Sequence, residues 1–193
     1  GVKASLAQGF SPNLTDEKGN PLLLLAIKDQ SYGVIEVLLE SKGMDVDLSN
    51  KQGETPLMFA AINGDLPLVK TLVLKNRAQL DHIGWTPLHY AASRGQLEVS
   101  QFLIDNGALV NSLNLGGTTP LMMAVQSGND YLVKLLLDKG ANLQLRNDLG
   151  LSAIDIADIY NKPVISEGLR SRWAKLYKQP YPGPINPSNA KLS

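Results

Sequence analysis

The feature that most constrains the fold of this chain is a glycine that recurs at a nearly fixed interval. Gly19, Gly53, Gly84, Gly117 and Gly150 are separated by 34, 31, 33 and 33 residues. Each glycine opens a similar phrase: GETPLMFAA, GWTPLHYAA and GTTPLMMAV in the middle of the chain, and the divergent GNPLLLLA and GLSAIDIA near its ends. A period of this length is typical of proteins built from stacked structural repeats. We therefore predict a fold of successive similar units.

Each period predicts two helices and a connector. In the phrase T-P-L, Thr can cap a helix with its hydroxyl and Pro suits the first helical position. The glycines at 64, 95 and 128 are placed to end this first helix. A second phrase, such as YLVKLLLDKG at 131–140, has apolar residues at helical spacing. The connector that follows, such as GANLQLRNDLG at 140–150, is rich in Asn, Asp and Gly, which suits a tight turn.

With these phrases the chain resembles the ankyrin-repeat family over about residues 1–175. The matching residues are the G-x-T-P-L phrases, His89 in TPLH, DNGALVN at 105–111 and the LLLDKGAN that ends at Asn142. The resemblance implies an all-α repeat solenoid, an ankyrin-type stack of helix-turn-helix units with β-hairpin-like fingers. It also implies that the concave surface, made of fingers and inner helices, binds another protein.

The period divides the chain into units of unequal regularity. We predict one ankyrin-repeat domain at 1–177, followed by a Pro-rich C-terminal tail at 178–193. Within the domain we expect a partial unit at 1–15, full units at 16–49, 50–80, 81–113 and 114–146, and a capping unit at 147–177. The connector NRAQLDHIGW is two residues shorter than its counterparts. It predicts a stunted finger and a notch in the finger row near His82, Ile83 and Trp85.

Composition excludes several classes of function. Lys and Arg balance Asp and Glu, which argues against nucleic-acid binding, since that needs a basic surface. No apolar run is long enough for a membrane span. Two histidines and no cysteine cannot supply a His/Cys metal site, and neither a G-x-S-x-G elbow nor a phosphate-binding loop occurs. We therefore predict a protein without cofactor or catalytic residue, in which His89 bonds Thr86 or nearby backbone and braces adjacent units.

The predicted binding surface consists of positions that vary between repeats and are not needed to build them. Several are apolar, and Trp85 and Arg94 are of the types most often found at the energetic centres of interfaces. Trp85 has a second interpretation, in which it packs over the shortened finger and fills the space that a full-length finger would occupy. The candidate residues are Lys51, Gln52, Glu54, Ile62, Asn63, His82, Ile83, Trp85, Ser93, Arg94, Leu115, Thr118, Gln126, Ser127, Asp148 and Leu151.

Three classes of function follow from these patterns. The first is a protein-binding adaptor or inhibitor, for example of a cell-envelope enzyme, that is monomeric when unbound. The second is a scaffold that assembles through its convex face or tail, and the third is a small-molecule binder or enzyme. A narrower resemblance, in GWTPLHYAAS, GGTTPLMMA and RNDLGLSA, is to a group of exported proteobacterial ankyrin proteins. It slightly favours the periplasm over the cytoplasm, with a signal peptide expected upstream of residue 1.

Overall fold

Short helices alternate with connectors along the whole of the described chain. A computed structural model describes residues 1–185, and within this range it contains eleven α-helices and no sheet. Numbered in chain order, the helices are α1 (Val2–Ala7), α2 (Leu22–Lys28), α3 (Tyr32–Leu39), α4 (Pro56–Ile62), α5 (Leu66–Lys70), α6 (Pro87–Ser93), α7 (Leu97–Asp105), α8 (Pro120–Ser127), α9 (Asp130–Asp138), α10 (Ala153–Ile159) and α11 (Pro163–Tyr177). A π-helical turn, Thr71–Lys75, continues α5. The predicted all-α repeat solenoid is confirmed.

Four inner helices, α4, α6, α8 and α10, each begin with a reciprocal pair of capping hydrogen bonds. The hydroxyls of Thr55, Thr86 and Thr119 each accept a hydrogen bond from the backbone N–H three residues later, at 3.2–3.3 Å. The side chain of that later residue in turn accepts from the threonine's own N–H. Ser152 preserves this arrangement with Asp155. The divergent phrase of the last unit therefore keeps the cap that the sequence predicts for the others.

Inner helices pack against one another through small side chains. Ala60, Ala61, Ala91 and Ala92 are completely buried, which lets the helix axes approach closely. The leucines that follow Pro in each phrase, Leu57, Leu88 and Leu121, face the core as predicted. One apolar cluster extends from Leu23 to Ala108 and a second from Ala92 to Tyr181, and Ile104 packs against both. Each unit thus buries its apolar face only against its neighbours.

His89 braces two successive units, as predicted. Its Nδ1 accepts the Thr86 backbone N–H at 3.2 Å, and its Nε2 lies 2.8 Å from the carbonyl oxygen of Thr118 in the next unit. Because a backbone N–H can only donate, Nδ1 carries no proton and Nε2–H is the donor to Thr118. The ring is fully buried, and this burial lowers the pKa of His89, against the opposing effect of hydrogen bonds to the Thr118 and Ser112 carbonyls.

The short finger is three residues shorter than its counterparts, so the predicted difference of two is wrong. In the other connectors, the left-handed residue that ends the outer helix precedes the tip glycine by ten positions, as with Gly107 and Gly117. In the short connector, Arg77 precedes Gly84 by seven. One extra residue upstream hides part of the deletion, since Ala78 N–H bonds Leu72 O, whereas Ala108 N–H bonds Leu103 O. The π-helical turn Thr71–Lys75 accommodates that residue.

The part of the predicted tail that the structure describes, 178–185, packs on the last unit. The Tyr181 hydroxyl donates to Asp155 Oδ2 at 2.6 Å and lies 2.6 Å from Ser152 Oγ. Arg146 donates to that hydroxyl and to the Gly183 carbonyl. Burial and the bond to Asp155 raise the pKa of Tyr181 to about 12. This segment therefore covers part of the last unit. The remaining tail residues lie outside the described chain. The boundaries predicted for the units stay a prediction.

Stability should depend on how many neighbours a unit has. Leu136 in α9 is fully buried, whereas Leu6 in α1 is only partly buried. We expect Leu136→Ala to lower the free energy of unfolding by about 2–5 kcal/mol, because it opens a cavity between packed units, and Leu6→Ala to cost clearly less. Urea unfolding of both variants checks this. Equal losses would contradict an end unit that is held on one side only.

Stability should also depend on pH through His89. Because burial holds the folded pKa below the ordinary 6.5, the unfolded chain binds this proton more readily. The free energy of unfolding should therefore fall as the pH drops below 6.5, by at most about 1.4 kcal/mol per pH unit from this group. His89→Met keeps the cap, as Met58 and Met122 do at the same repeat position, but removes the titrating ring. Urea unfolding at several pH values between neutral and acidic should show that the free energy of unfolding falls less steeply with decreasing pH for the variant than for the unmodified chain. Parallel plots of this free energy against pH would contradict the prediction.

Candidate partner-binding surface

Trp85 lies at the centre of the concave face, between the short finger and α6. It follows Gly84, whose φ of +89° turns the chain, and directly precedes the capping Thr86. Its ring meets those of His89 and Tyr90 edge-on, with centroids 5.6 and 6.0 Å away. The side chain nevertheless remains 43% exposed. Trp85 therefore packs on α6 of its own unit and also presents a large apolar surface to the groove.

A row of aromatic side chains extends from Trp85 toward the N-terminal units. The Tyr90 hydroxyl donates to Glu54 Oε2 at 2.7 Å, and Glu54 Oε1 accepts from the Asn50 amide at 2.9 Å. Burial, with the Glu54 carboxylate, raises the pKa of Tyr90 well above its usual value. The Phe59 ring lies 6.3 Å from that of Tyr90, and the Lys28 ammonium is 4.9 Å from the Phe59 centroid. These contacts hold the aromatic rings in fixed positions across three units.

The first of two depressions in the concave face adjoins this row. It has a volume of about 220 Å³ and is lined by Ile62, Trp85, Tyr90, Ser93 and Met123. The Ser93 hydroxyl donates to the Tyr90 carbonyl at 2.7 Å. The Tyr90 hydroxyl donates to Glu54, so both hydroxyls of the lining residues are already hydrogen-bonded. The depression is therefore suited to an apolar side chain.

The second depression continues the first toward the C-terminal end. Its volume is about 330 Å³, and it shares Trp85 and Met123 with the first. Its other walls come from α8, from α10 and from the last two finger tips, including Thr118, Gln126, Leu149, Ile159 and Tyr160. Trp85 and Met123 thus form a ridge between two parts of one groove that spans the middle and C-terminal units.

The predicted site residues fall into three groups. Ile62, Trp85, Ser93, Thr118 and Gln126 line the two depressions. Exposed on the fingers beside the groove are Lys51, Gln52, Ile83, Leu115 and Asp148. The inner-helix ends carry Asn63, Arg94 and Ser127, which line neither depression, and His82 is half-buried in the short finger. With Leu151, which borders the second depression, the structure brings six of the sixteen into the groove itself.

Two of the predicted residues do not present a free side chain. Leu151 is only 3% exposed and belongs to the same buried cluster as Tyr181, although it borders the second depression. The chain passes over it, since Ile185 N–H bonds the Gly150 carbonyl. Glu54 uses both carboxylate oxygens for Tyr90 and Asn50. Glu54 thus fixes the position of Tyr90, whose ring lines the groove.

Sequence reasoning missed eight residues that line the second depression, and the more exposed of its apolar ones include Met123, Leu149, Ile159 and Tyr160. Met123 occupies the same place after its tip glycine as Phe59 and Tyr90, and Tyr160 the same place as Arg94. The repeat register therefore contained the signal. The divergent sequence of the last unit favours a cap alone, and it hides the equivalence of its inner-helix end with the others.

The groove is suited to burying apolar side chains. Among residues 1–185, no three His, Cys, Asp or Glu side chains are arranged to hold a metal ion. Within the same range, no helix combines the length and apolar character of a membrane-spanning segment. Aromatic and aliphatic walls with few charges gain free energy mainly by removing apolar surface from water.

Comparison with known proteins agrees with this architecture. The chain is 30% identical over 152 residues to the human transient receptor potential cation channel subfamily A member 1, covering 74% of this chain and 14% of the channel. It is 30% identical over 181 residues to mouse ankyrin repeat and SAM domain-containing protein 6, covering 86% of this chain and 20% of that protein. It is 31% identical over 150 residues to the Variola virus ankyrin repeat protein OPG189, covering 72% of this chain and 26% of the viral protein. The chain thus spans about a quarter or less of the length of these relatives.

A family model agrees with these relatives. The model for ankyrin repeats in three copies matches residues 1–83 and 63–147. Repeats of this kind are generally protein–protein interaction modules. Together with the capped inner helices and the stacked units, these matches show that the chain belongs to the ankyrin-repeat family.

Proposed function

We propose that this chain is a non-enzymatic module that binds a protein partner in its concave groove, with Trp85 and Met123 at the centre of the contact. The observation that carries the proposal is that two apolar depressions meet at a partly exposed tryptophan. Tryptophan is among the residues that most often dominate binding energy, especially in the middle of an interface. The function is inferred from this site, since the fold alone is compatible with many activities.

The contacts behind the groove support a preformed site. Trp85 is held by His89 and Tyr90, and Tyr90 is fixed in turn by Glu54. Side chains that are already ordered lose little conformational entropy on binding, so more of the burial energy appears as affinity. The mainly apolar lining favours a partner segment with large apolar side chains over a charged ligand.

The finer role that we propose is that of an adaptor or inhibitor, monomeric when free, which acts on a cell-envelope enzyme where the chain is exported. It rests on the resemblance of GWTPLHYAAS, GGTTPLMMA and RNDLGLSA to exported proteobacterial ankyrin proteins. The names of the relatives supply no partner for this chain.

Self-assembly through the convex face is a second candidate function. A groove of about 370 Å³ lies between α3 and α5, lined by Ile35, Leu39 and Leu68 with Glu36 and Glu40 at its edge. Analytical ultracentrifugation over a wide concentration range separates the candidates, because only self-assembly makes the mass rise with concentration.

Partner capture with two matched variants tests the groove. Trp85→Ala with Met123→Ala removes the central ridge, and Leu74→Ala with Tyr131→Ala removes exposed apolar surface from the outer helices. The full chain should capture a partner from its native cells, with envelope and cytoplasmic fractions kept separate. We expect the groove variant to weaken binding to that partner by at least about tenfold, measured by calorimetry, because its two side chains form the proposed hot spot.

The outer-helix variant is the control for general loss of apolar surface. It should bind like the unmodified chain, and circular dichroism should show both variants to be folded. Loss of binding with the outer-helix variant alone would move the site to the convex face. Equal binding by all three chains would contradict the proposed function.

A further inference from the structure

The finger tips in the described chain share one hydrogen-bonding pattern, with a single exception. In four tips, the residue three positions before the glycine donates its N–H to the carbonyl one position after it, at 2.9–3.1 Å. The pairs are Asp16 and Asn20, Asn50 and Glu54, Asn114 and Thr118, and Asn147 and Leu151. The side-chain oxygen of the first residue also accepts two backbone N–H groups within its own tip. These tips therefore satisfy their own backbone.

The short finger is the exception. Asp81 stands three positions before Gly84, yet it makes neither the backbone bond nor the side-chain bonds. Across 80–85, no backbone N–H or carbonyl bonds to any other group of residues 1–185. The deletion gives the cause, because seven positions rather than ten separate Arg77 from Gly84. A connector that spans the path from the outer helix to the finger tip with fewer residues must be more extended, and it cannot form the tight turn of the other tips.

Side-chain exposure alternates along this segment. Asp81, Ile83 and Trp85 are exposed, whereas Leu80 and His82 are half-buried and Gly84 is buried. Ile83 is 98% exposed. A period of two is that of a strand with one covered face, and the turn at Gly84, with its φ of +89°, limits the strand-like part to the residues before it. Residues 80–83 thus combine strand-like exposure with unpaired backbone groups, the two properties of a free sheet edge.

The neighbouring fingers leave this edge free. Finger tips can pair through their backbones, since the Asp148 N–H donates to the Gly116 carbonyl at 2.9 Å. The segment 80–85 makes no such bond with the tips on either side of it. In addition, His82 Nε2 is buried and has no hydrogen-bond partner among residues 1–185. The notch therefore contains several polar groups that another chain could satisfy.

We propose that residues 80–83 receive an extended segment of the partner by β-strand addition, and that this segment places a large apolar side chain in the depression beside Trp85. The inference rests on the proposed function and specifies how the partner binds. Main-chain hydrogen bonds along the edge supply affinity, and the depression selects the side chain. Trp85 connects the two features, since it follows the turn at Gly84 that ends the edge and it lines the depression.

The dimensions and charges narrow the occupant. The depression of about 220 Å³ exceeds the ~150 Å³ of a cavity that holds benzene, so an aromatic or long aliphatic side chain fits. Asp81 is exposed and forms no ion pair with residues 1–185, which favours a Lys or Arg opposite it. A helix would leave the edge unsatisfied, because its backbone groups already bond to one another. The occupant is therefore an extended segment with one large apolar residue and one cation.

Selection of peptides tests this proposal even while the partner is unidentified. Short random linear peptides displayed on phage are panned against the full chain and counter-selected against Ile83→Ala with Trp85→Ala. The tightest peptide is then synthesised in versions that each carry one N-methylated backbone amide. Within one stretch of the peptide, a single N-methyl group should weaken binding by at least about tenfold at every second residue and much less at the residues between, because only alternate amides of a strand face its neighbour. Amide hydrogen exchange should show new protection at alternate residues of 80–83.

Two further variants separate the proposal from the proposed function. Tyr131→Ala removes an exposed side chain from the outer helix α9 and should leave peptide affinity unchanged. Trp85→Ala with Met123→Ala should abolish binding whether the peptide pairs with the edge or only fills the groove. Binding that requires Trp85 and Met123 but shows no alternation on N-methylation would overturn strand addition while the groove remains the site.

The remaining outcomes also decide the proposal. Enrichment of no peptide over the counter-selected background would overturn it. Concentration-dependent dimerisation that Ile83→Ala abolishes would assign the edge to a second copy of this chain and overturn the assignment to a partner segment. Peptides that bind the full chain and all of these variants equally would contradict both the edge and the groove.

Discussion

Close packing of inner helices through alanine is the constraint on which the rest of the structure depends. Ala60 and Ala91 have no exposed surface, and Ala26, Ala124 and Ala157 occupy the equivalent position in the other units, so a larger side chain there would push successive units apart. The spacing that they set places His89 Nε2 within hydrogen-bond distance of the Thr118 carbonyl. It also sets the separation of the aromatic rings that line the groove. The concave surface is therefore a consequence of how the units stack.

Because the helices carry the stack, the fingers can change without loss of the fold. The connector before Gly84 lacks three residues, and α5 gains one as a π-helical turn, yet Leu72 and Ala78 remain buried in the common core. A deletion inside an inner helix would instead rotate every later apolar residue away from its neighbour. An irregular connector is thus tolerated where it adjoins the groove, and irregularities of this kind are frequent at functional sites.

The repeat period predicted what depends on the regular positions: the helices, the threonine caps and the brace made by His89. It failed where two irregularities act in opposite directions. The interval of 31 residues before Gly84 combines a deletion with an insertion. The repeat interval gives only the net change in length, so it shows neither change separately. The burial of Leu151 was not predictable from the repeats, since it packs in one cluster with Tyr181, which lies outside them. Met123 is detectable from equivalent positions in the regular repeats, whereas the divergence of the end unit obscures the register at Tyr160.

The position of the notch in the stack favours a binding role over accidental disorder. The units around Trp85 have neighbours on both sides, and apolar clusters adjoin on either side at Ile104, so local opening costs more there than at the ends. An unpaired backbone segment in a fraying end unit would be expected from its weak support. The short finger lies instead between units that have neighbours on both sides, so its surroundings hold it in place while its backbone groups stay unpaired. Rigid support beneath unsatisfied groups is what a preorganised binding site requires.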